Sequence, residues 1–329
     1  MATTPNAATP ADLAWNPRVL LRRLRSADEI AHLITFLAAA SLLLITVLLV
    51  YQLWVLSGEA RTKFGWDFFI TRTWDPVAGQ FGALPFIYGT LVTSAVALIL
   101  AVPLGVGGAI FLAELAPPGL SSSLTFVSDL LAAVPSVIYG LLGVFLLVPI
   151  MRTTIQPALK RSLGFLPLFQ GPAYGIGFLT AGIVLAIMIV PFVLSVSREV
   201  LLAVPRDQRE AALALGATKW EATWKVVVPA ARVGIFGSVF LALARALGET
   251  MAVTMVVGNN PRISASLLSP GYSIAAVLAN EFSEATGNLY LSALIELALV
   301  LFLLTFVLNG LARLLILVTT ARGSGVLPT

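Results

Sequence analysis

"LITFLAAASLLLITVLLVYQLWVL", residues 33–56, runs without a charged side chain. A helix needs about 20 mostly apolar residues to cross a hydrocarbon layer of roughly 30 Å. The run also exceeds the roughly 7–15 apolar residues of a cleaved signal sequence, so it reads as a retained anchor helix. Moving outward from it, further apolar stretches of spanning length lie at 86–113, 127–150, 173–201, 232–258 and 289–318, and the anchor itself extends over 31–56. They are too long for the roughly 9–11-residue strands of a membrane barrel. The expectation is an all-α integral membrane protein with about six transmembrane helices. The membrane domain would cover 29–320. The polar, Pro/Ala-rich lead-in at 1–28 reads as a disordered tail, and 321–329 as a second tail.

Composition agrees with lipid as the main solvent. Of 329 residues, 58% are apolar and 11% charged, with a mean hydropathy of +0.96. Soluble chains carry about 25% charged residues. The net charge of +4 therefore points to loop orientation, not to a nucleic-acid partner. Cysteine is absent and the one histidine, His32, sits at the mouth of the first span. That inventory leaves no disulfide, no thiolate metal site and no convincing nucleophile–base set, so neither a catalytic nor a metal site is expected.

Basic residues orient the bundle. With the N-terminus inside, the cytoplasmic segments hold Arg18, Arg22, Arg23, Arg25, Arg198, Arg206, Arg209, Lys219, Lys225, Arg232, Arg313 and Arg322. The other side holds Arg61, Lys63, Arg72, Arg152, Lys160, Arg161 and Arg262. The bias places both termini in the cytoplasm. Several spans are interrupted, by "AVPLGVGGAI" in the second, Pro135 and Pro149 in the third, and Pro191 in the fourth. Gly105, Gly107 and Gly108 are suited to close helix contact. Glu114 and Asp129, at the cytoplasmic ends of their spans, read as solvated interfacial acids.

The largest cytoplasmic connection, "VPRDQREAALALGATKWEATWKVVVPAAR" (204–232), is patterned. A short Ala/Leu helix over 210–215 breaks at Gly216, and a second amphipathic piece over 219–228 ends at Pro229. Helices this short are marginal alone. Two of them presenting Ala211, Ala212, Leu215, Trp220 and Trp224 need a surface to dock on. The stretch resembles the EAA loop of ABC importer permeases, E-A-A-x3-G-x9-I-x-L-P. Glu210, Ala211, Ala212, Gly216 and Pro229 fall on its fixed positions, while Val226 and Val228 replace the usual Ile and Leu. The resemblance implies a type I importer permease fold and a coupling loop, 204–229, seated in a groove of a separate ATPase subunit. It implies that Glu210 pairs with a basic group there. None of Lys63, Lys160, Lys219 and Lys225 completes G-x-x-x-x-G-K-[ST], so the chain has no P-loop and no enzyme activity of its own is expected. ATP and magnesium would be bound by the partner ATPase, and no cofactor by this chain.

"FGALPFIYGTLVTSAVAL" (81–98), "AAVPSVIYGLLGVF" (132–145) and "ARALGETMAVTMVVGN" (244–259) are similar to the PstC-type permeases of phosphate importers. The PstA type is close to these in pattern, but the chain length, the first external loop and the "RALGET" wording favour PstC. That resemblance implies a multi-pass protein of the bacterial inner membrane. Its implied partners are a PstA-like second permease, a PstB-like ATPase dimer and an extracytoplasmic PstS-like phosphate-binding protein. The binding protein would meet the loops 57–85, 151–172 and 259–288. A permease for sulfate or molybdate is the alternative, followed by an ATP-independent carrier or channel.

The charged pair within the fifth span carries the chemistry. At 100° per residue, Gly234, Ser238, Leu241, Arg245, Glu249 and Ala252 share one helical face, with Arg245 near the span's centre. An unpaired charge there costs at least roughly 2.5–3.5 kcal/mol. Two readings stand. In one, Arg245 and Glu249 form a structural pin. In the other, Arg245 offers a guanidinium fork to a tetrahedral oxyanion while Glu249 holds it in place. Ser136 and Tyr139 in "PSVIYG" have hydroxyls to offer an anion or a neighbouring helix, and Glu296 stands alone in the sixth span. The substrate-path candidates are thus Arg245, Glu249, Ser238, Ser136, Tyr139 and Glu296.

Overall fold

The computed structural model describes the backbone of residues 27–321 and side chains from 31 to 314. The tails expected at 1–28 and 321–329 lie, apart from their innermost residues, outside the described residues. Among these, helices account for all regular structure, and the one strand-like pairing is an isolated antiparallel bridge, Asp75 to Gln80. Among the described residues, six helices are long and apolar enough to cross a membrane: Ala31–Leu56, Leu84–Leu115, Ser136–Leu163, Phe178–Leu202, Lys219–Gly248 and Asn288–Leu314. The first belongs to a unit of its own, 1–55, and is an uninterrupted apolar helix, Ala27–Leu56.

Within 56–329 the core is a bundle built around the fourth span. Phe178–Leu202 buries Ala181, Leu185, Met188, Ile189 and Val193 against the second and fifth spans. Close approach depends on small residues. A Cβ added at Gly105 would fall 2.7 Å from Val193, and one at Gly108 would fall 2.9 Å from Leu194. Gly107 meets nothing within 4 Å. Two of the three glycines singled out by sequence are thus contact sites, and the third faces open space.

Three boundaries differ from expectation, each for a backbone reason. The third span is not 127–150. Pro118–Ala132 forms a separate helix, Pro135 takes extended angles as cap, and the spanning helix is Ser136–Leu163. The fourth begins at Phe178 instead of 173, because Gly175 and Gly177 hold positive φ (86° and 140°), a region closed to most side chains. The fifth is not continuous over 232–258. It stops at Gly248, Glu249 is extended (φ −70°, ψ 124°), and Met251–Val256 resumes as a short separate helix.

The loop 204–229 also departs in detail. Its first helix is Arg206–Ala214, followed by Gly216 at φ 86°. Thr218 then opens a capping box with Glu221, the Thr218 hydroxyl accepting from the Glu221 N–H. From Lys219 the helix runs straight into the fifth span and does not end at Pro229. A π-turn over Thr223–Val227 widens the register just before Val228–Gly248, which accommodates Pro229, a residue with no N–H to give the preceding turn.

Candidate functional site

Arg245 lies in the last turn of the fifth span, beside the break, and not at the centre of a continuous helix. Its guanidinium carbon stands 5.7 Å from the centroid of the Phe192 ring in the fourth span, within cation–π range. Seven residues earlier, Ser238 is fully buried and shares a 2.7 Å hydroxyl–hydroxyl hydrogen bond with Ser197 of that same fourth span. The pairs 238–197 and 245–192 run in antiparallel register. The small polar face read from sequence is therefore the seam between the fifth and fourth spans. It is covered at Ser238, whose hydroxyl is committed, and opens at Arg245, which is exposed.

Glu249 does not neutralise Arg245. Its Oε1 accepts from the Ala252 N–H at 3.2 Å, capping the helix that resumes after the break. The helix stop at Gly248 removes the shared face that would have brought the two side chains together. Among the described residues, Arg245 forms no ion pair.

The "PSVIYG" and "GETMAV" stretches do meet. A Cβ at Gly140 would lie 3.2 Å from the Ala252 Cα and 2.5 Å from the Met255 Sδ, so the third span packs on the resumed helix through a glycine. Tyr139 is buried beside them, an electrostatic neighbour of Arg245. Its hydroxyl donates to the Leu131 carbonyl at 2.7 Å and is not turned to an incoming anion. Ser136, at the start of the third span, is half-buried. Glu296 is not part of this group. It is 2% exposed, in electrostatic reach of Arg61 on the helix Gly58–Phe64, and its Oε2 has no hydrogen-bond partner.

The loop 204–229 stands in contrast to these packed groups. The helix Arg206–Ala214 has no buried residue. Glu210 and Ala211 are exposed and Ala212 half-buried; Val226 and Val228 are half-buried and Pro229 is exposed. Leu215 is 90% exposed, and a Cβ at Gly216 would meet nothing within 4 Å. Trp220 and Trp224, both exposed, form an edge-to-face pair with centroids 5.5 Å apart.

Sequence reasoning missed one link at this end. Arg209 donates through Nε to both oxygens of Glu114 (3.2 Å each) and through Nη2 to Oε1 (2.8 Å). Nη2 also donates to the Leu201 carbonyl at 2.6 Å, and Nη1 to that of Val204. Glu114 is therefore an ion-pair partner, not a solvated interfacial acid, and Asp129 accepts from the Ser195 hydroxyl at 2.7 Å. The signal available was an acid inside "FLAEL", an apolar span end, and the fold alone supplies its partner 95 residues away.

Residues 101–316 match the family described as the binding-protein-dependent transport system inner membrane component. The chain is 46% identical to the phosphate transport system permease protein PstC of Mesorhizobium japonicum, over 92% of this chain and 94% of that one. It is 50% identical to the PstC of Xylella fastidiosa over 79% of this chain and 81% of the relative. The chain belongs to this permease family, in its PstC group. A solved structure of a bacterial ABC transporter involved in the import of the acidic polysaccharide alginate shares the fold. It has a TM-score of 0.56 at 15% identity and covers 88% of this chain and 98% of that one. The permease is thus a multi-pass, all-helical membrane subunit of an ABC transporter.

Proposed function

We propose that this permease forms half of the translocation path of an ATP-driven importer of inorganic phosphate in a bacterial inner membrane. Near-full-length similarity to proteins named as phosphate permeases carries the choice of substrate. The partners would be a second, similar permease subunit, an ATPase dimer that binds ATP and magnesium, and an extracytoplasmic phosphate-binding protein. The exposed loop 204–229 supports the ATPase contact. Leu215, Trp220 and Trp224 present apolar surface where a monomeric soluble face would be polar, and Gly216 provides the turn between the two helical pieces. With this loop and both termini in the cytoplasm, closure of the ATPase dimer would push on the fifth span directly, since Lys219–Gly248 is one helix from loop to break.

Arg245 is the residue assigned to the anion step. It is exposed at the chain's surface, beside a helix break, with no carboxylate paired to it among the described residues, so its fork is available to an oxyanion. Cation–π contact with Phe192 steadies the side chain without cancelling its charge. Non-helical backbone at membrane depth is tolerated where it lines a cavity or is buried in protein, which suits the Gly248–Thr250 break to a path shared with a second subunit. Glu249 supports that break by capping, while Ser238 links the fifth span to the fourth through Ser197.

The test is uptake by the reconstituted complex in vesicles. ATP-dependent phosphate uptake unaffected by excess sulfate is expected, and Arg245→Gln should lower it at least roughly tenfold with the complex still assembled. Equal competition by sulfate would move the substrate to the wider oxyanion class. Unchanged uptake in Arg245→Gln would make the arginine a structural pin.

A further inference from the structure

The helix Arg206–Ala214 buries none of its own side chains, so apolar packing gives it little grip on the membrane bundle. Its polar grip is concentrated in Arg209, whose side chain is 19% exposed and whose partner Glu114 is 10% exposed. One planar guanidinium reaches two elements at once. It forks onto Glu114, in the π-turn Phe111–Leu115 that ends the second span, and it holds the Leu201 and Val204 carbonyls at the end of the fourth. A guanidinium has the rigid donor fork for this; an ammonium would supply a single point of attachment. The second and fourth spans are themselves locked together through Gly105 on Val193 and Gly108 on Leu194.

We propose that Arg209 and Glu114 are the positioning pair that makes the loop helix move as one body with the second and fourth spans. This rests on the reading that the loop docks on an ATPase. The fifth span needs no such device, because the loop continues into it as helix. Besides its backbone joins to the fourth span over 203–205 and to the fifth through Lys219–Gly248, the loop thus has a side-chain strut through Arg209 that reaches 95 residues back to Glu114 and ties it to the second span. A displaced loop with the strut intact carries three spans. With the strut broken the loop helix keeps its short backbone tether to the fourth span and its helical continuation into the fifth but loses its hold on the second, and hydrolysis proceeds without the full swing of the path.

The experiment uses the whole complex, with second permease, ATPase and binding protein, in vesicles. Glu114→Gln removes the charge and keeps the shape, and Arg209→Lys keeps the charge and removes the fork. Both should lower phosphate moved per ATP hydrolysed by roughly fivefold or more, with the ATPase still co-purifying. Glu114→Asp should recover part of the ratio. An unchanged ratio in both variants overturns the proposal, as does loss of ATPase co-purification in both, which would make the pair an assembly contact.

A second measurement is independent of substrate. The chain is free of cysteine, so Leu213→Cys on the loop helix and Leu104→Cys on the second span, both exposed, accept a unique pair of spin labels. Adding ATP should leave their distance fixed in the otherwise unmutated complex and shift or broaden it when Glu114→Gln is added. A distance that changes already without Glu114→Gln overturns the strut. A complex with the expected label behaviour but no phosphate uptake would refute the function reading and leave the strut standing.

Discussion

The segment 57–83 with 259–290 and the loop 204–229 are both connections between spans, yet they are built in opposite ways. In the first, Phe81 stacks on Tyr290 at 5.3 Å, and Trp74 packs edge-on to both Phe81 and Phe86. The indole N–H of Trp74 and the hydroxyl of Tyr290 both donate to Glu281 Oε2, at 2.8 and 2.7 Å. Asn280 donates to the Tyr272 hydroxyl, and the backbone N–H of Ile274 donates to Thr90. This connection pairs the polar groups of Trp74, Tyr290 and Tyr272 within itself and buries Phe68, Phe81 and Tyr272, although Trp66 and Phe282 stay exposed. The loop 204–229 leaves Leu215, Trp220 and Trp224 exposed and has a first helix with no buried side chain. Packed aromatics contribute to stability, whereas apolar side chains left exposed on a loop mark a contact surface.

That contrast can be broken most sharply at Phe81. The ring is 2% exposed, and Phe81→Ala should cost about 3–5 kcal/mol, read as a lower unfolding temperature of the detergent-solubilised permease. Leu215→Ala should leave that temperature within the roughly 0.5 kcal/mol scatter of surface changes. It should instead weaken ATPase association by about 2 kcal/mol, or roughly thirtyfold, in a binding titration. If Leu215→Ala lowered the unfolding temperature as Phe81→Ala does, the distinction between the regions would fail. Glu281→Gln leaves two half-buried donors competing for a neutral acceptor and should cost about 1–3 kcal/mol, without affecting ATPase affinity.

The smallest effect concerns pH. Burial holds the Tyr272 hydroxyl well above the ordinary tyrosine value of 10.0. Below that value folded and unfolded chains are equally protonated at this site and its contribution is complete. Above it the unfolded chain loses the proton first, so stability should decline progressively as pH rises beyond 10.0, and Tyr272→Phe should flatten the decline.

Much of the architecture was legible in the sequence because lipid demands long apolar helices, and the six stretches announce themselves by length and hydropathy. The EAA-like spacing singled out the loop 204–229 for a similar reason: Glu210, Gly216 and Pro229 are local signals at fixed distances. The helix break at Glu249 was not legible. Gly248 is a weak stop signal in an apolar run, and the deciding event is the Glu249 carboxylate capping Ala252. Assuming an unbroken helix placed Glu249 on Arg245, whereas the chain places Phe192 there. The same limitation hid Arg209–Glu114, whose members look like ordinary surface and interface charges until the fold joins them. Ser238 shows the converse: a polar residue in a span whose hydroxyl is taken up by a neighbouring span, at Ser197.

The central claim is that this permease moves phosphate only when its loop is seated on an ATPase. Its most direct test is labelled phosphate uptake into vesicles holding the complete complex, compared with vesicles in which the loop carries Glu210→Ala together with Leu215→Ala. ATP-dependent uptake in the first and its loss in the second, with the altered permease still folded in the membrane, is the predicted result. Uptake that persists in the altered vesicles, or in vesicles containing the permease without any ATPase, would contradict it.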